Sequence, residues 1–361
     1  MTKKELFRSV VFMAIVAVMF IILCDLFEQE NNKNFDKRIF TYRTLEEDTV
    51  DAVYIGTSGV DRYWIAAKAY EEYGMTVYPM SVEQMPAWLF IPMIEESLEY
   101  QSPELIILDV RAFTQSQETD EMEIRARRIL DSMDLLSLNR LKTAFRTMES
   151  IHKLDEEKPL FDVSYLLSFV KYHSMIMEES YRFENNIGSK VHEYAGFYMD
   201  PSLTIKVMEI KPCIYKSKLN PELDKITEEA LYEVLDYIEE KDLKVLFVDS
   251  PQQRSKVEAG RTETIYSILE ERGIDYLSYY TKDNKSGITI DFDYKKDFYG
   301  EGHVNYYGAE KFTAEMAKYL DENYDLPDRR EDENAKKYWD GVYDKIKDKV
   351  KEYEEKKNKK T

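Results

Sequence analysis

Short apolar runs alternate with amphipathic stretches in the first part of the chain, and this alternation predicts an α/β fold. The runs at 50–55, 76–80 and 105–110 are rich in β-branched, aliphatic and aromatic residues and have the length of buried strands. The stretches at 60–73 and 88–100 repeat apolar residues at helical spacing. Strands and helices that alternate with short connections predict a parallel sheet covered by helices on both faces.

The alternation stops at about residue 112 and resumes at about residue 224. Between these points the pattern predicts helices at 121–135, 136–151 and 163–180 with few strand signals, which indicates a large helical insertion. After the insertion, helices and strands alternate again before a last helix. These elements are predicted at 224–240 (helix), 244–251 (strand), 258–272 (helix), 276–280 (strand) and 308–320 (helix).

A hydrophobic segment near the N-terminus predicts a membrane anchor. The uninterrupted apolar run covers 10–24, and apolar residues on either side bring it into the range of roughly 17–25 residues that spans a bilayer. Basic residues precede the run and acidic residues follow it, so we expect a cytoplasmic N-terminus and an extracytoplasmic main domain. A cleaved signal peptide is the competing interpretation, but no small-x-small motif follows the run, and Leu23 is too large for lipoprotein processing at Cys24.

Composition divides the chain into four predicted segments. Residues 1–27 form a cytoplasmic stub and transmembrane anchor, and the polar residues 28–47 form a tether. An α/β domain covers 48–326, with the helical insertion at about 112–225. The charged tail at 327–361 has apolar residues every three or four positions, which predicts an amphipathic helix that packs on the domain or contacts a partner.

Charge and residue content argue against several classes of function. The net charge of −20 repels phosphate, so nucleic acid is not an expected partner. Cys24 and Cys213 lie in different segments and predict no disulfide framework. The four histidines show no metal-ligand spacing and the chain has no CxxC motif, so neither a metal site nor a cofactor is expected.

The first of two sequence motifs is Val-Tyr-Ile-Gly-Thr-Ser-Gly at 53–59. Ser58 follows a predicted strand and begins a predicted helix, at the sheet edge where open α/β sheets bind ligands. Backbone N–H groups at a helix start suit an oxyanion, and Gly56 and Gly59 permit a sharp turn and close approach of a substrate. Ser58 is therefore a candidate nucleophile and Gly59 a candidate oxyanion or substrate-binding residue. The alternative is that Ser58 or Thr57 only caps the helix.

The second motif is Asp-Phe-Tyr-Gly-Glu-Gly-His-Val-Asn-Tyr-Tyr-Gly at 297–308. His303 lies in a glycine-rich loop before the last predicted helix, which would bring its imidazole to the same sheet edge as Ser58. A lone loop histidine is usually exposed or structurally satisfied, but the pair at opposite ends of one sheet domain is a more specific pattern. A serine hydroxyl needs a neighbouring base to accept its proton, and His303 is the candidate base.

Together the two motifs resemble the first and last signature blocks of the SGNH/GDSL hydrolase superfamily. The resemblance covers about 48–111 and 243–323, and residues 298–312 look like its membrane-anchored branch. That branch is similar to the D-alanyl transfer protein of teichoic acid modification and to the alginate O-acetylation proteins. The resemblance implies a flavodoxin-like three-layer α/β/α sandwich in which Ser58 is the nucleophile and His303 the general base.

The acid of the catalytic triad departs from the superfamily pattern. It usually lies three residues before the histidine, where this chain has Gly300. Asp297 is the candidate acid and Glu301 the alternative, and a serine–histidine dyad oriented by a backbone carbonyl would also serve.

The resemblance also implies residues that bind the substrate or its oxyanion. The second block supplies a backbone oxyanion donor, expected here near Ser81. The third block, Gly-x-Asn-Asp, is not found after the strand at 105–110, and Arg111 occupies that neighbourhood. Arg111 is a candidate for binding a carboxylate, a phosphate or an oxyanion, or alternatively forms a salt bridge. Asn305, two residues after His303, is a further candidate.

Two hypotheses of different classes follow. The first is an extracytoplasmic, membrane-anchored serine acyl esterase or O-acyltransferase that acts on a cell-surface polysaccharide or teichoic-acid-like polymer. For this hypothesis the resemblance implies a multispanning membrane O-acyltransferase as partner. The second is a catalytically weak or inactive binding or assembly protein of a cell-envelope modification complex. The glycine at position 300 and the missing asparagine of the third block favour the second hypothesis.

Overall fold

The computed structural model describes residues 1–27, 35–116, 118–177, 191–211, 221–279 and 290–359 of the chain. The main sheet consists of β1 Ala52–Gly56, β2 Val77–Ser81, β3 Leu105–Asp109, β4 Val245–Asp249 and β5 Asp275–Ser278. The strands lie in the order β2-β1-β3-β4-β5, and each neighbouring pair is parallel. The prediction of an α/β fold with a parallel sheet is confirmed.

Helices surround this sheet, and a small hairpin follows it in the chain. The hairpin is β6 Phe298–Gly300 with β7 His303–Val304, which pair antiparallel. The α-helices in the described residues are α1 Lys3–Leu26, α2 Phe35–Thr44, α3 Ser58–Asp61, α4 Ala66–Tyr73, α5 Phe90–Tyr100, α6 Thr119–Ser132, α7 Leu138–Leu154, α8 Ser168–Tyr172, α9 Lys225–Glu240, α10 Lys256–Glu271, α11 Tyr306–Asn323, α12 Glu333–Trp339 and α13 Val342–Asn358.

The carboxyl ends of the central strands bring polar residues together at one edge. All residues of β1, β2, β3 and β4 are buried, as expected for a parallel sheet covered on both faces. Gly56 pairs with Ser81 across β1 and β2, and Ile55 pairs with Leu108 across β1 and β3. Ser81 and Asp109 therefore flank the turn that leaves β1.

The helix predicted at 60–73 is divided into α3 and α4. The hydroxyl of Thr313 in α11 accepts a hydrogen bond from Ile65 N at 2.8 Å and contacts Tyr63 O at 3.2 Å. These contacts occupy main-chain groups that a continuous helix would pair internally, so α11 holds the chain in an extended step between the two helices.

The helix predicted at 163–180 is also interrupted. It consists of a 3-10 turn at Val163–Tyr165, α8, and a second 3-10 segment at His173–Met177, while 178–180 lie outside the described residues. Arg140 Nη1 donates to Leu166 O at 3.0 Å. This side-chain contact lies where the first 3-10 turn ends, before α8 begins.

The segment predicted as a tether contains a packed helix. Residues 28–34 lie outside the described residues, whereas 35–44 form α2, in which Ile39 and Tyr42 are completely buried. Tyr42 Oη donates to Ser97 O at 3.0 Å, and Tyr78 Oη donates to Arg38 O at 2.9 Å. The composition of the segment did not predict this burial, because Arg38 and Thr41 are buried together with Ile39 and Tyr42.

The C-terminal tail packs on the domain as two helices rather than one. Gly341, with φ of +69°, separates α12 from α13. Trp339 and Ile346 are buried and belong to the same core as the sheet residues. The tail therefore extends the core of the α/β domain past residue 326.

The N-terminal helix has the dimensions of a membrane span. Within α1, Lys3–Cys24 contains a window of 18 residues with a mean hydropathy of 2.7, and 0% of this window is buried in the protein. At about 1.5 Å per residue, a helix of this length exceeds the hydrocarbon thickness of a bilayer. One N-terminal helix is therefore long and apolar enough to cross a membrane.

Candidate active site

The turn after β1 presents Ser58 at the sheet edge. Thr57 caps α3, and its side chain accepts a hydrogen bond from Gly59 N at 3.3 Å. Asp109, at the end of β3, accepts hydrogen bonds from Thr57 N at 3.1 Å and from Thr57 Oγ1 at 2.5 Å. A Cβ on Gly56 would lie 2.2 Å from Asp109 Cβ, so only glycine allows β1 and β3 to approach this closely.

Asp109 fixes the turn and Arg111 at the same time. One carboxylate oxygen takes the two Thr57 donors, and the other accepts a hydrogen bond from Arg111 N at 3.1 Å. Burial raises the pKa of Asp109, and the hydrogen bond from Thr57 opposes that rise. Asp109 therefore stabilises the conformation in which Ser58 leaves the sheet.

The hairpin of β6 and β7 carries His303 to the same place. Arg111 Nη1 donates to Gly302 O at 2.9 Å, and a Cβ on Gly302 would lie 2.7 Å from Arg111 Nη2. The turn of the hairpin therefore rests directly on the guanidinium of Arg111. The ring of Tyr299 stacks on the imidazole of His303, with centroids 5.4 Å apart and an interplanar angle of 6°.

Ser58 and His303 meet although 245 positions separate them in the chain. Ser58 Oγ lies 2.8 Å from His303 Nε2, within hydrogen-bond distance. Ser58 is 5% exposed, so the hydroxyl lies in a largely desolvated site. This arrangement allows the imidazole to take the serine proton when the hydroxyl attacks an electrophile.

The electrostatics of the site favour a neutral imidazole. Burial lowers the pKa of His303 well below its usual value, and the charges of Arg111 and Arg62 lower it further. Arg62 Nη1 lies 3.3 Å from His303 Nε2. Because the imidazole is unprotonated at neutral pH, the Nε2 lone pair is available to the serine proton.

Two arginines therefore flank the Ser58–His303 pair. A Cβ on Gly59 would lie 3.6 Å from Arg111 Cδ, which puts Arg111 beside the turn that carries Ser58. Arg62 stacks on Tyr198, with its Cζ 4.5 Å from the ring centroid, and lies 3.9 Å from a carboxylate oxygen of Glu83. The Nε atoms of both arginines are buried, and neither has a hydrogen-bond partner among the described residues. Both guanidinium groups can stabilise a negative charge that forms at Ser58.

Asp297 does not contact the imidazole. Its carboxylate accepts hydrogen bonds from Asp293 N at 2.7 Å and from Lys311 Nζ at 2.7 Å, and its carbonyl accepts one from Asn305 N at 2.9 Å. The side chain of Glu301 is exposed on the hairpin turn. In the part of the chain that the structure describes, no carboxylate accepts a hydrogen bond from His303 Nδ1. The geometry is that of a serine–histidine dyad.

The remaining candidates, Asn305 and Ser81, differ in how many of their side-chain polar atoms form hydrogen bonds. Asn305 caps α11 by accepting hydrogen bonds from Tyr307 N and Gly308 N, and its amide donates to Lys206 O and Lys296 O. It therefore binds main-chain groups and holds the base of the hairpin. Ser81 is completely buried beside Gly56, and its hydroxyl has no hydrogen-bond partner in the described regions.

Sequence reasoning missed three residues of this site: Asp109, Arg62 and Tyr299. Asp109 ends a strongly predicted strand next to the one that carries Ser58, so its place at the edge could have been inferred from topology. Arg62 follows Ser58 by four positions, but the chain departs from helix after Asp61, and its contact with His303 depends on that departure. Tyr299 belongs to the quoted histidine motif, and its stacking follows from the antiparallel pairing of β6 and β7.

The chain matches no protein-family model and no curated protein sequence. Within the described residues, no group of three histidine, cysteine, aspartate or glutamate side chains has the arrangement of a metal site.

Proposed function

We propose that this chain is an extracytoplasmic, membrane-anchored serine acyl esterase or O-acyltransferase, with Ser58 as nucleophile and His303 as its base. The observation that carries the proposal is the 2.8 Å contact between Ser58 Oγ and His303 Nε2. The strand order β2-β1-β3-β4-β5 supports a flavodoxin-like sheet of the SGNH kind, because that order characterises flavodoxin-like folds.

In the proposed reaction, Ser58 Oγ attacks the carbonyl carbon of an ester while its proton moves to His303 Nε2. The bond to the leaving alcohol then breaks, the alcohol takes the proton from His303, and the acyl group stays on Ser58. Water or a sugar hydroxyl attacks the acyl-serine by the reverse sequence of steps. Water gives hydrolysis, and the sugar hydroxyl gives acyl transfer.

Arg62 and Arg111 have complementary proposed roles. Both guanidinium groups offer N–H donors to the oxyanion that forms when the carbonyl is attacked. Their charges also keep His303 unprotonated before the attack. The buried hydroxyl of Ser81, which borders the same turn, is a further donor toward the acyl group.

The cellular setting in the proposal rests on α1 and on the sequence motifs. The basic residues before the span and the acidic residues after it support a cytoplasmic N-terminus, a single pass through the cell membrane and an extracytoplasmic domain. The proposed acceptor is a cell-surface polysaccharide or a teichoic-acid-like polymer. A multispanning membrane O-acyltransferase is the proposed source of the acyl group.

Labelling of the full-length protein with a fluorophosphonate tests the proposal. We expect rapid labelling of the unsubstituted chain, and a fall of about a hundredfold or more in Ser58→Ala and His303→Gln. Ser267→Ala and His173→Gln are the matched controls, because both side chains are exposed and distant in sequence from either motif. Their labelling rates should equal that of the unsubstituted protein.

A second candidate function is a binding or assembly protein of a cell-envelope modification complex. Its specific support is the absence, among the described residues, of a carboxylate on His303 Nδ1, together with the low exposure of Ser58. If the unsubstituted protein is folded but remains unlabelled, the enzymatic proposal is wrong and this second function is the better one.

A further inference from the structure

The helical insertion is tied directly to the end of the membrane span. Ser168 Oγ, at the start of α8, donates to Cys24 O at 2.8 Å. The rings of Phe27 and Phe169 contact each other edge-on with centroids 5.4 Å apart, and Phe27 and Tyr172 are buried together. If α1 spans the bilayer, α8 lies at the level where the span leaves it.

A second set of contacts connects α7 to the segment just before α8. Arg140, in the first turn of α7, donates through Nη1 to Leu166 O, two residues before Ser168. Its Nε donates to Leu130 O at 2.9 Å, which joins α6 to the same point. The N-terminal turn of α7 is therefore fixed near the exit of α1 by a short chain of buried contacts.

This part of the insertion exposes large apolar side chains. Leu138, Leu141 and Phe145 lie on one face of α7 at helical spacing, with exposures of 65%, 44% and 49%. Leu136 is 76% exposed just before the helix, and Leu160 and Phe161 are 61% and 58% exposed just after it. Phe161 packs against Phe145, with ring centroids 6.4 Å apart, so the segment after α7 contributes to the same exposed apolar side of the insertion.

The exposure of these apolar side chains to water is energetically unfavourable. The neighbouring face of α7 is buried through Ala144, Met148 and Ile151, so the helix already packs on a core without the exposed side chains. Contiguous apolar patches on soluble surfaces mark sites that contact another protein or a membrane. Continuity with α1 through α8 favours the membrane as the occupant.

We propose that Leu136, Leu138, Leu141, Phe145, Leu160 and Phe161, the apolar face of the insertion, insert into the outer surface of the bilayer beside α1. This inference rests on the membrane anchoring in the proposed function. Apolar faces of interfacial helices enter the lipid by about 5–10 Å. Two attachments, the span and the apolar face, would fix the orientation of the domain and hold the Ser58 edge at a constant height above the lipid.

Spin labels on the full-length protein in phosphatidylcholine–phosphatidylglycerol nanodiscs test this proposal. The background carries Cys24→Ala and Cys213→Ala, and single cysteines replace Leu141, Phe145, Val257 or Val18. Val257 is the matched control, because it is apolar, helical and 44% exposed, like Leu141, but lies in α10. Val18 lies in α1 and is 55% exposed, so it reports whether the span itself is in lipid.

The accessibility of each label to oxygen, which concentrates in lipid, is compared with its accessibility to a water-soluble nickel chelate. We expect the ratio of oxygen to nickel accessibility at Leu141 and Phe145 to exceed that at Val257 by about tenfold.

If Val18 is in lipid while Leu141 and Phe145 behave like Val257, the docking proposal is overturned and the anchor stands. Protection from both reagents would mean that a second copy covers the face, which also overturns the proposal. If Val18 is itself accessible to nickel, the anchor and the docking fail together, whereas fluorophosphonate labelling of Ser58 is unaffected by either result.

Discussion

Two buried polar clusters lie at the carboxyl edge of the same sheet, and they differ in how their charges are paired. The nucleophile cluster comprises Thr57, Ser58, Asp109, Arg111 and His303. The Asp249 cluster, at the ends of β4 and β5, comprises Asp249, Arg254, Thr262, Tyr266 and Ser278. In the latter, Arg254 Nη2 binds Asp249 Oδ2 at 3.0 Å and Arg254 Nη1 binds Thr262 Oγ1 at 2.6 Å, so cation and anion neutralise each other.

The nucleophile cluster leaves positive charge facing the Ser58–His303 pair. The carboxylate oxygens of Asp109 accept hydrogen bonds from Thr57 and from the main chain of Arg111. Asp109 therefore does not form a close ion pair with the guanidinium group of Arg62 or Arg111. Burial raises the pKa of both Asp109 and Asp249, so a shifted carboxyl pKa does not separate the two clusters. The separating feature is geometric, because only one cluster directs a hydroxyl at an imidazole.

Among the substitutions that distinguish the two clusters, Asp109→Asn is expected to have the largest effect. An asparagine amide would present its N–H groups toward either Thr57 N or Arg111 N, which are both donors, so at least one hydrogen bond that holds the turn would be lost. We expect the fluorophosphonate labelling rate to fall by at least about tenfold, together with about 2–3 kcal/mol of stability. The labelling rate and the free energy of unfolding measure the two effects.

Asp249→Asn is the matched control in the other cluster. Leaving Arg254 buried without its carboxylate should cost about 3–5 kcal/mol of stability. The labelling rate of the folded fraction should stay within about threefold of the unsubstituted rate, because the Asp249 cluster makes none of the hydrogen bonds that hold Thr57 or His303. An equal loss of labelling in both variants would show that the two clusters act as one.

A smaller effect is expected from Arg62→Met, which keeps the length of the side chain and removes its charge. Because Arg62 helps to lower the pKa of His303, the neutral side chain should raise that pKa toward its usual range. Labelling needs the unprotonated imidazole, so the rate falls as the pH drops through the pKa of His303. The acidic midpoint of the pH–rate profile should therefore move upward.

Lys171→Met controls for the loss of a positive charge outside the site. Lys171 is about half exposed and lies 3.6 Å from a carboxylate oxygen of Glu123 in the insertion. Its replacement should leave the acidic midpoint unchanged. A pH–rate profile for Arg62→Met that coincides with that of the unsubstituted protein would show that the charge of Arg62 does not lower the pKa of His303.

The same contrast shows what the sequence could predict. Apolar runs fix where strands lie, and a parallel sheet brings the ends of its strands to one edge, so Ser58 at that edge followed from local patterns. That His303 reaches Ser58 was predicted from the pairing of two motifs, but its contacts with Arg62 and Tyr299 depend on a broken helix and on a hairpin. The burial of α2 was not predictable from its polar composition, because tertiary packing buries Arg38 and Thr41 together with Ile39 and Tyr42.

The smallest effect on labelling is expected from Asp297→Asn, the substitution that would be most damaging if Asp297 were the triad acid. A carboxylate that orients a catalytic histidine is worth about ten-thousandfold in rate when it is replaced by the amide. Here the carboxylate binds Asp293 N and the partly exposed Lys311, so we expect a change in labelling of less than about threefold. Loss of the ion pair with Lys311 should cost about 0.5–1 kcal/mol of stability, measured by thermal unfolding.

Lys311→Met should produce a similar loss of stability, because it breaks the same ion pair. A loss of labelling by several orders of magnitude in Asp297→Asn alone would mean that the hairpin rearranges to bring Asp297 to His303 Nδ1, and the dyad would have to be replaced by a triad.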